Sequence, residues 1–274
     1  MKFYFTLLLA LAASMVFAQE KTISGTVASA KNGEAIPYVN IGIRNKNTGT
    51  ISAENGSYTL KLQQEFSEDT LTFSAIGFEV QKVPVKQLAT QQSIALKEKT
   101  TNLKEVVVTS RKTRLKKLGI TGRLPGVWGA PMQNVDKERD VYEYANLIPV
   151  KKYPVEVLSA HFYLASSKLD SAVFRVNFYK NAQGQPGELL VEKSIVQKLT
   201  TKDGWVKVDL EPHQIYASED FFLGIEYLPE EVPNRFAILM GGKLGGTTFT
   251  RSSSLGVWKE TVIGSLSAYV TVRQ

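Results

Sequence analysis

A chain of 274 residues with no cysteine has no disulfide to staple it and no thiol for catalysis. The length suits two domains, each able to bury a core of its own. The formal net charge of +7 suggests nucleic acid only until it is located: from Lys97 to Arg123, nine lysines and arginines face only Glu98 and Glu105. That segment alone holds a surplus as large as that of the whole chain, so the remainder is nearly neutral.

The first element is an export signal. Lys2 precedes an apolar run from Phe3 to Phe17, and Ala18 ahead of Gln19 predicts cleavage after Ala18, which makes 1–18 a signal peptide. The run is shorter than the roughly 20 apolar residues a membrane-spanning helix needs, and no later stretch approaches that length. A secreted product in the periplasm, at the outer membrane or on the cell surface is expected. A polyanionic envelope surface then replaces nucleic acid as the expected partner of the basic segment.

Residues 19–97 read as a β-sandwich of about seven short strands. Thr22 to Val27 alternates, Asn32-Gly33 supplies a turn, and Val39 to Ile43 alternates again before Asn47-Thr48-Gly49. Asn55-Gly56 leads into a strand with Tyr58, Leu60 and Leu62 on one face; Asp69 to Phe78 and Ser93 to Leu96 complete the unit.

The succession Ile23-x-Gly25-x-Val27, Pro37-x-x-Asn40-Ile41, Gly49, Asn55-Gly56-x-Tyr58 and Leu71-x-Phe73-Ser74-x-Ile76-Gly77-Phe78 resembles the carboxypeptidase-regulatory-like domain common in envelope proteins of Bacteroidetes. The resemblance implies a transthyretin-like sandwich with a structural or docking role and no peptidase activity. In that family the domain often stands at the front of TonB-dependent receptors. Residues 103–109, Leu103 to Thr109, are similar to the segment leading into a receptor plug, where strand addition to a component of the TonB system is the implied contact. A plug and barrel would need hundreds of further residues, so a transport role is not expected.

Residues 98–124 read as a basic linker, with Lys112, Arg114, Lys116 and Lys117 as candidate contacts to an anionic surface. From 125 to 274 the composition is globular again. Alternation at Leu158 to Leu164, Ala172 to Phe178 and Trp205 to Leu210, with apolar runs at Phe221–Leu228, Phe236–Met240 and Leu266–Val272, predicts a second antiparallel sandwich, jelly-roll-like. The predicted fold class is therefore all-β, two sandwiches in tandem.

Catalytic chemistry is poorly supplied. His161 and His213 are the only histidines and neither opens a zinc motif, so neither a metal nor another cofactor is expected. There is no Gly-x-Ser-x-Gly elbow; Ser252-Ser253-Ser254 and Asp136 to Asp140 read as polar turns, and Gly241 to Gly246 as a flexible turn without a Walker ending. Glu211, Glu226 and Asp209 pair as glycosidase carboxylates only on paper. What rises above this background is aromatic: period-2 counting puts His161, Tyr163, Arg175, Tyr179, Trp205 and Tyr269 on outward faces of the second sandwich. Such rings serve protein-binding and sugar-binding surfaces, and equally pack under loops or against a neighbouring domain. The expected function is a non-catalytic envelope scaffold recognising a protein or glycan, with a glycan hydrolase as the alternative.

Overall fold

A computed structural model describes residues 20–99, 114–130, 139–151, 154–230 and 236–274. The expected signal peptide 1–18, the 103–109 segment and Lys112 lie outside the described residues.

The first domain consists of β1 (Lys21–Ser29), β2 (Asn40–Ile43), β3 (Gly49–Ile51), β4 (Ser57–Leu62), β5 (Thr70–Ser74), β6 (Gln81–Pro84) and β7 (Ile94–Leu96). They form two sheets, β4-β1-β7 and β3-β2-β5-β6. Their inward residues, among them Ile23, Val27, Ile41, Leu60, Leu62, Leu71, Phe73 and Leu96, make one core. Tyr58 reaches across that core to Phe73, edge to face at 5.6 Å, and donates its hydroxyl to the Gln92 carbonyl. One pairing departs from the expected antiparallel pattern: β7 runs parallel to β1.

The second domain begins earlier than the sequence suggests. Its strands are β8 (Leu115–Gly119), β9 (Trp128–Gly129), β10 (Tyr142–Ile148), β11 (Val155–Ser167), β12 (Ser171–Ala182), β13 (Gln185–Leu189), β14 (Val196–Thr200) and β15 (Gly204–Asp209). There follow β16 (Ile215–Ala217), β17 (Phe221–Leu228), β18 (Ile238–Leu244), β19 (Thr248–Arg251), β20 (Lys259–Thr261), β21 (Gly264–Leu266) and β22 (Ala268–Arg273). One sheet runs β13-β12-β17-β10-β19-β20, with β14 also on β12; the other runs β21-β18-β11-β22-β8, with β15 and β16 on β11 and β9 on β18. Phe162, Phe174, Phe178, Phe221, Ile225 and Val270 fill the space between them. All described regular structure is strand apart from short 3-10 turns, as the all-β reading expects.

Strand β8 corrects the linker 98–124. Leu115 to Gly119 pair antiparallel with Arg273 to Tyr269, and Leu118 packs against the second core. The run is so rich in lysine that its one inward side chain is easily missed, yet an edge strand carrying charge outward is a common way to protect a sheet edge.

The two domains are locked together. Ile51 of the first packs with Val141, Val173 and Leu228 of the second in a separate buried cluster. Thr50 Oγ1 donates to the Arg139 carbonyl at 2.6 Å, Arg139 Nη2 donates to the Ile51 carbonyl at 3.1 Å, and Arg175 Nη2 donates to the Tyr38 carbonyl at 2.5 Å. Asn45 N donates to the Leu255 carbonyl, and the Ser254 hydroxyl donates to Asn40 Oδ1. The approach is close enough to require glycine: a Cβ at Gly42 or Gly49 would lie 2.6 or 2.8 Å from the Ser254 carbonyl oxygen. Tyr38, Asn45 and Leu255, all at this junction, hold positive φ, a conformation that costs energy and persists only where surroundings impose it.

Residues of two segments read as polar turns are thereby buried: Asp140, the end of a stretch whose residues 136–138 lie outside the described ones, and Ser253-Ser254. Asp140 is 1% exposed, and Ser253 and Ser254 are fully buried, because the serines bond to Asp140 and fill the seam between domains. The glycine run Gly241 to Gly246 is also mostly strand: β18 continues to Leu244, and Gly245-Gly246 alone turn the chain.

Candidate functional site

The six outward residues named from the sequence fall on two different surfaces. Alternation assigns a side chain to a face of its own sheet, but it does not say which sheet the strand joins. Strands β11, β15 and β22 belong to one sheet and β12 to the other, so Arg175 and Tyr179 look away from the remaining four.

On the outer face of the β11 sheet, Tyr163 stands opposite Trp205, and His161 opposite Tyr269. Cross-strand pairing brings the rings into contact. Trp205 meets Tyr163 edge-on at 5.4 Å and Tyr269 at 4.9 Å, while His161 lies flat on Tyr269 at 4.4 Å. Gly241 makes room beneath, since a Cβ there would stand 2.6 Å from a Tyr163 ring carbon. Basic residues of the former linker close over the rings: Lys117 Nζ is 5.1 Å from the Tyr269 centroid and the Arg123 guanidinium 4.6 Å from that of Tyr163. Contacts of this kind contribute about 0.5–1 kcal/mol each at exposed sites. Trp205 remains 39% exposed and Lys207, two residues along the strand, is exposed too, so the surface is an indole between tyrosines that carry cations.

The cation contacts predicted from sequence divide accordingly. Lys117 joins the aromatic face, Lys116 bonds instead to Gln274 Oε1, and Arg114 pairs through its backbone with Gln274 at the strand end. His161 Nε2 lies 3.0 Å from Ser159 Oγ. Burial, together with the charges of Lys207 and Lys117, lowers its pKa to about 4, so the ring is neutral at pH 7. Among the described residues no three His, Asp or Glu converge as metal ligands.

Arg175 and Tyr179 lie at the domain seam, in a network the sequence left unread. Glu143 of β10 and Glu226 of β17 are opposite each other in register, and both are fully buried. Arg251 Nη2 meets Glu143 Oε2 at 2.5 Å, and Arg175 Nη1 meets Glu226 Oε2 at 3.1 Å. Asn177 Nδ2 donates to both carboxylates, at 2.8 and 3.0 Å, and the Tyr179 hydroxyl donates to Glu143 at 2.7 Å. Gly224 leaves the space that the Glu143 carboxylate occupies. Burial pushes the Glu143 carboxyl above its ordinary value against the pull of Arg251, and burial with the neighbouring carboxylate pushes Tyr179 well above 10, keeping its proton in place. Trp258 lies edge-on to Tyr179 and against the Arg251 guanidinium at 4.6 Å.

Above this network is an open cleft of about 530 Å³ between the domains. Arg175, Asn177, Tyr179 and Arg251 form its floor, Asn40, Arg44 and Ser74 its first-domain wall, and Lys180, Glu188 and Glu192 its second-domain wall. Of the carboxylates considered from sequence, Glu226 is in this network, while Asp209 and Glu211 are exposed on and after β15 of the opposite sheet.

The signal for the network was present. Every residue of Phe221 to Leu228 is buried, and a strand that apolar with one glutamate in it has both faces covered. A buried glutamate requires partners, which the neighbouring strands must supply.

The molecule is thus a pair of β-sandwiches packed and hydrogen-bonded together, with one aromatic face carrying cations and one polar cleft at the seam. Residues 23–108 match the CarboxypepD_reg-like domain family, and the first domain is a carboxypeptidase-regulatory-like domain. The chain is 34% identical over 124 residues to TonB-dependent receptor P3 of Formosa agariphila, a stretch that is 45% of this chain and 12% of the receptor. It is 33% identical over 130 residues to TonB-dependent receptor SusC of Bacteroides thetaiotaomicron, again 46% of this chain and 12% of the receptor. Among solved structures, the cysteine protease and lectin-like domains of Cwp84, a surface layer associated protein of Clostridium difficile, superpose with a TM-score of 0.40 at 8% identity, over 87% of this chain and 58% of that one.

Proposed function

We propose that the chain is an exported, non-catalytic binding protein of the cell envelope, in which a carboxypeptidase-regulatory-like domain and a second sandwich act as one rigid body. The observation that carries this reading is the outer face around Trp205, where Lys117 and Arg123 lie over the flanking rings of Tyr269 and Tyr163 and Lys207 is exposed two residues along the same strand. Cations attract an anionic envelope protein or glycan from a distance, and the ring supplies apolar contact once it arrives. The kinship of the first domain with TonB-dependent receptors supports placement at the outer membrane.

The hydrolase alternative draws no support from the carboxylates. Glu143 and Glu226 do meet, but each is bonded to an arginine below the cleft floor, and a retaining or inverting pair must instead flank a glycosidic bond.

Co-sedimentation of the mature chain with envelope fractions across a salt series tests the proposal. Lys117→Gln with Arg123→Gln is expected to weaken association chiefly at low salt, because exposed charges are screened beyond roughly 10 Å at 0.1 M. Trp205→Ala is expected to weaken it at every salt concentration. If both variants sediment like the parent throughout, this face does not carry binding.

A further inference from the structure

The seam cleft has features that the outer face does not explain. Four charged side chains lie in its floor or directly beneath it, Glu143, Glu226 and Arg175 buried and Arg251 partly so. Desolvating two ion pairs offsets most of what they return, and well-packed apolar residues would serve the fold as well. The network is also left short of partners: Arg175 Nε, Arg251 Nε and Glu226 Oε1 are buried without a hydrogen bond. Native proteins leave few such atoms, so three in one cluster call for an explanation beyond folding. The backbone around the opening, at Tyr38, Asn45 and Leu255, is held in positive φ, and Leu255 itself lines the cleft.

The charges around the opening almost balance. Lys99 pairs with Glu192 at 2.5 Å and Lys180 with Glu188 at 3.2 Å, while the two floor arginines pair with the two buried glutamates. Arg44 is the remaining cation of the lining and has no ion-pair partner among the described residues. The neutral groups of the lining are Asn40, Ser74, Asn177 and Tyr179; with the Asn177 Nδ2 and Tyr179 protons committed to the glutamates beneath, Asn40, Ser74 and the Asn177 amide oxygen are the ones that face a ligand. A volume of about 530 Å³ is in the range that holds small molecules, yet such sites are mostly apolar and this one is polar.

We propose that this cleft is a binding site for a small polyhydroxylated monoanion, the chemistry of a sugar acid. The single carboxylate faces the unpaired charge of Arg44, and the hydroxyls exchange hydrogen bonds with the floor and walls. The site takes one residue set from each domain, so occupancy depends on the locked seam and is independent of the Trp205 face on the opposite sheet.

Isothermal titration calorimetry of the mature chain tests it, with D-glucuronate, D-galacturonate and D-gluconate as acid probes, D-glucose as the uncharged arm and acetate as the anion without hydroxyls. At least one acid probe is expected to bind 1:1, with glucose and acetate each about tenfold weaker or more. Arg44→Gln is expected to lower the affinity for that probe about tenfold, and Lys82→Gln, at the exposed position of β6, to leave it unchanged. Arg44 is itself exposed, so this variant retains the parent melting temperature and its loss reads binding alone. The proposal fails if none of the three acids binds, if acetate or glucose binds as tightly as they do, or if Arg44→Gln binds like the parent.

Discussion

Asp140 accepts a hydrogen bond from Ser253 Oγ at 2.6 Å, and through its other oxygen one from Ser254 N at 2.8 Å. The pair closes the domain seam, because Ser254 in turn bonds Asn40 and its carbonyl rests on Gly42 and Gly49. One carboxylate therefore fixes the loop through which the second domain grips the first.

Asp140→Ala leaves the Ser253 hydroxyl and the backbone N–H of Ser254 buried without their acceptor. Hydrogen bonds to a charged group contribute about 1.5–3 kcal/mol each, and a loss of about 3–6 kcal/mol is expected for the two. Since each domain keeps its own core, the loss should uncouple them. Scanning calorimetry should show the single transition of the parent split into two. One transition at the parent temperature would mean that the seam holds without Asp140.

Arg251→Met tests whether the buried quartet is coupled. Removing one partner of a buried pair strands Glu143 and is expected to cost about 3–5 kcal/mol in urea denaturation. Adding Glu143→Leu should recover a large part of that cost, since the stranded charge goes with it. A double variant no more stable than Arg251→Met would show that packing, not charge, dominates the site.

Much of the fold was legible because alternation is local. Tyr58, Leu60 and Leu62, or Phe174, Val176 and Phe178, mark an inward face wherever the strand ends up. What alternation cannot carry is the identity of the neighbour. Arg175 and Tyr179 have the spacing of surface residues and lie outward from their sheet, yet both are buried: Arg175 reaches the Tyr38 carbonyl of the first domain, and Tyr179 packs with Phe222, Phe249 and Trp258 of its own. Asp140 and Ser253 were misread for the same reason: polar residues in a loop signal solvent unless a partner 113 positions away supplies the hydrogen bond. Strand β8 was hidden by composition, since its lysines follow a charged run and only Leu118 reports a core.

Gly241 sits beneath Tyr163, and Gly241→Ala puts a methyl 2.6 Å from a ring carbon. The ring must shift from the position in which it meets Trp205 and Arg123. A destabilisation of about 1–3 kcal/mol is expected, as for other forced overpacking. Trp205 should also become more accessible, which acrylamide quenching of its fluorescence would measure in a background with Trp128 and Trp258 replaced by phenylalanine. Unchanged quenching would mean that Tyr163 is not held by the packing described.

His161 provides a pH test of the same face. Burial, with Lys207 and Lys117 nearby, brings its folded pKa to about 4, below the ordinary 6.5. Between pH 6.5 and 4 the unfolded chain therefore binds a proton that the folded chain does not, and stability falls as the pH drops through that window. The ring is partly exposed, so the contribution is discounted to about 1–2 kcal/mol. His161→Gln removes this proton uptake, and its stability should fall less than that of the parent between pH 7 and 4, the difference isolating His161 from carboxylates that titrate in both. Lys207→Gln should move the His161 pKa upward, which a proton NMR titration of the two histidines would read directly. A folded value at or above 6 in the parent would show that neither burial nor the adjacent lysines act on the ring as the structure places them.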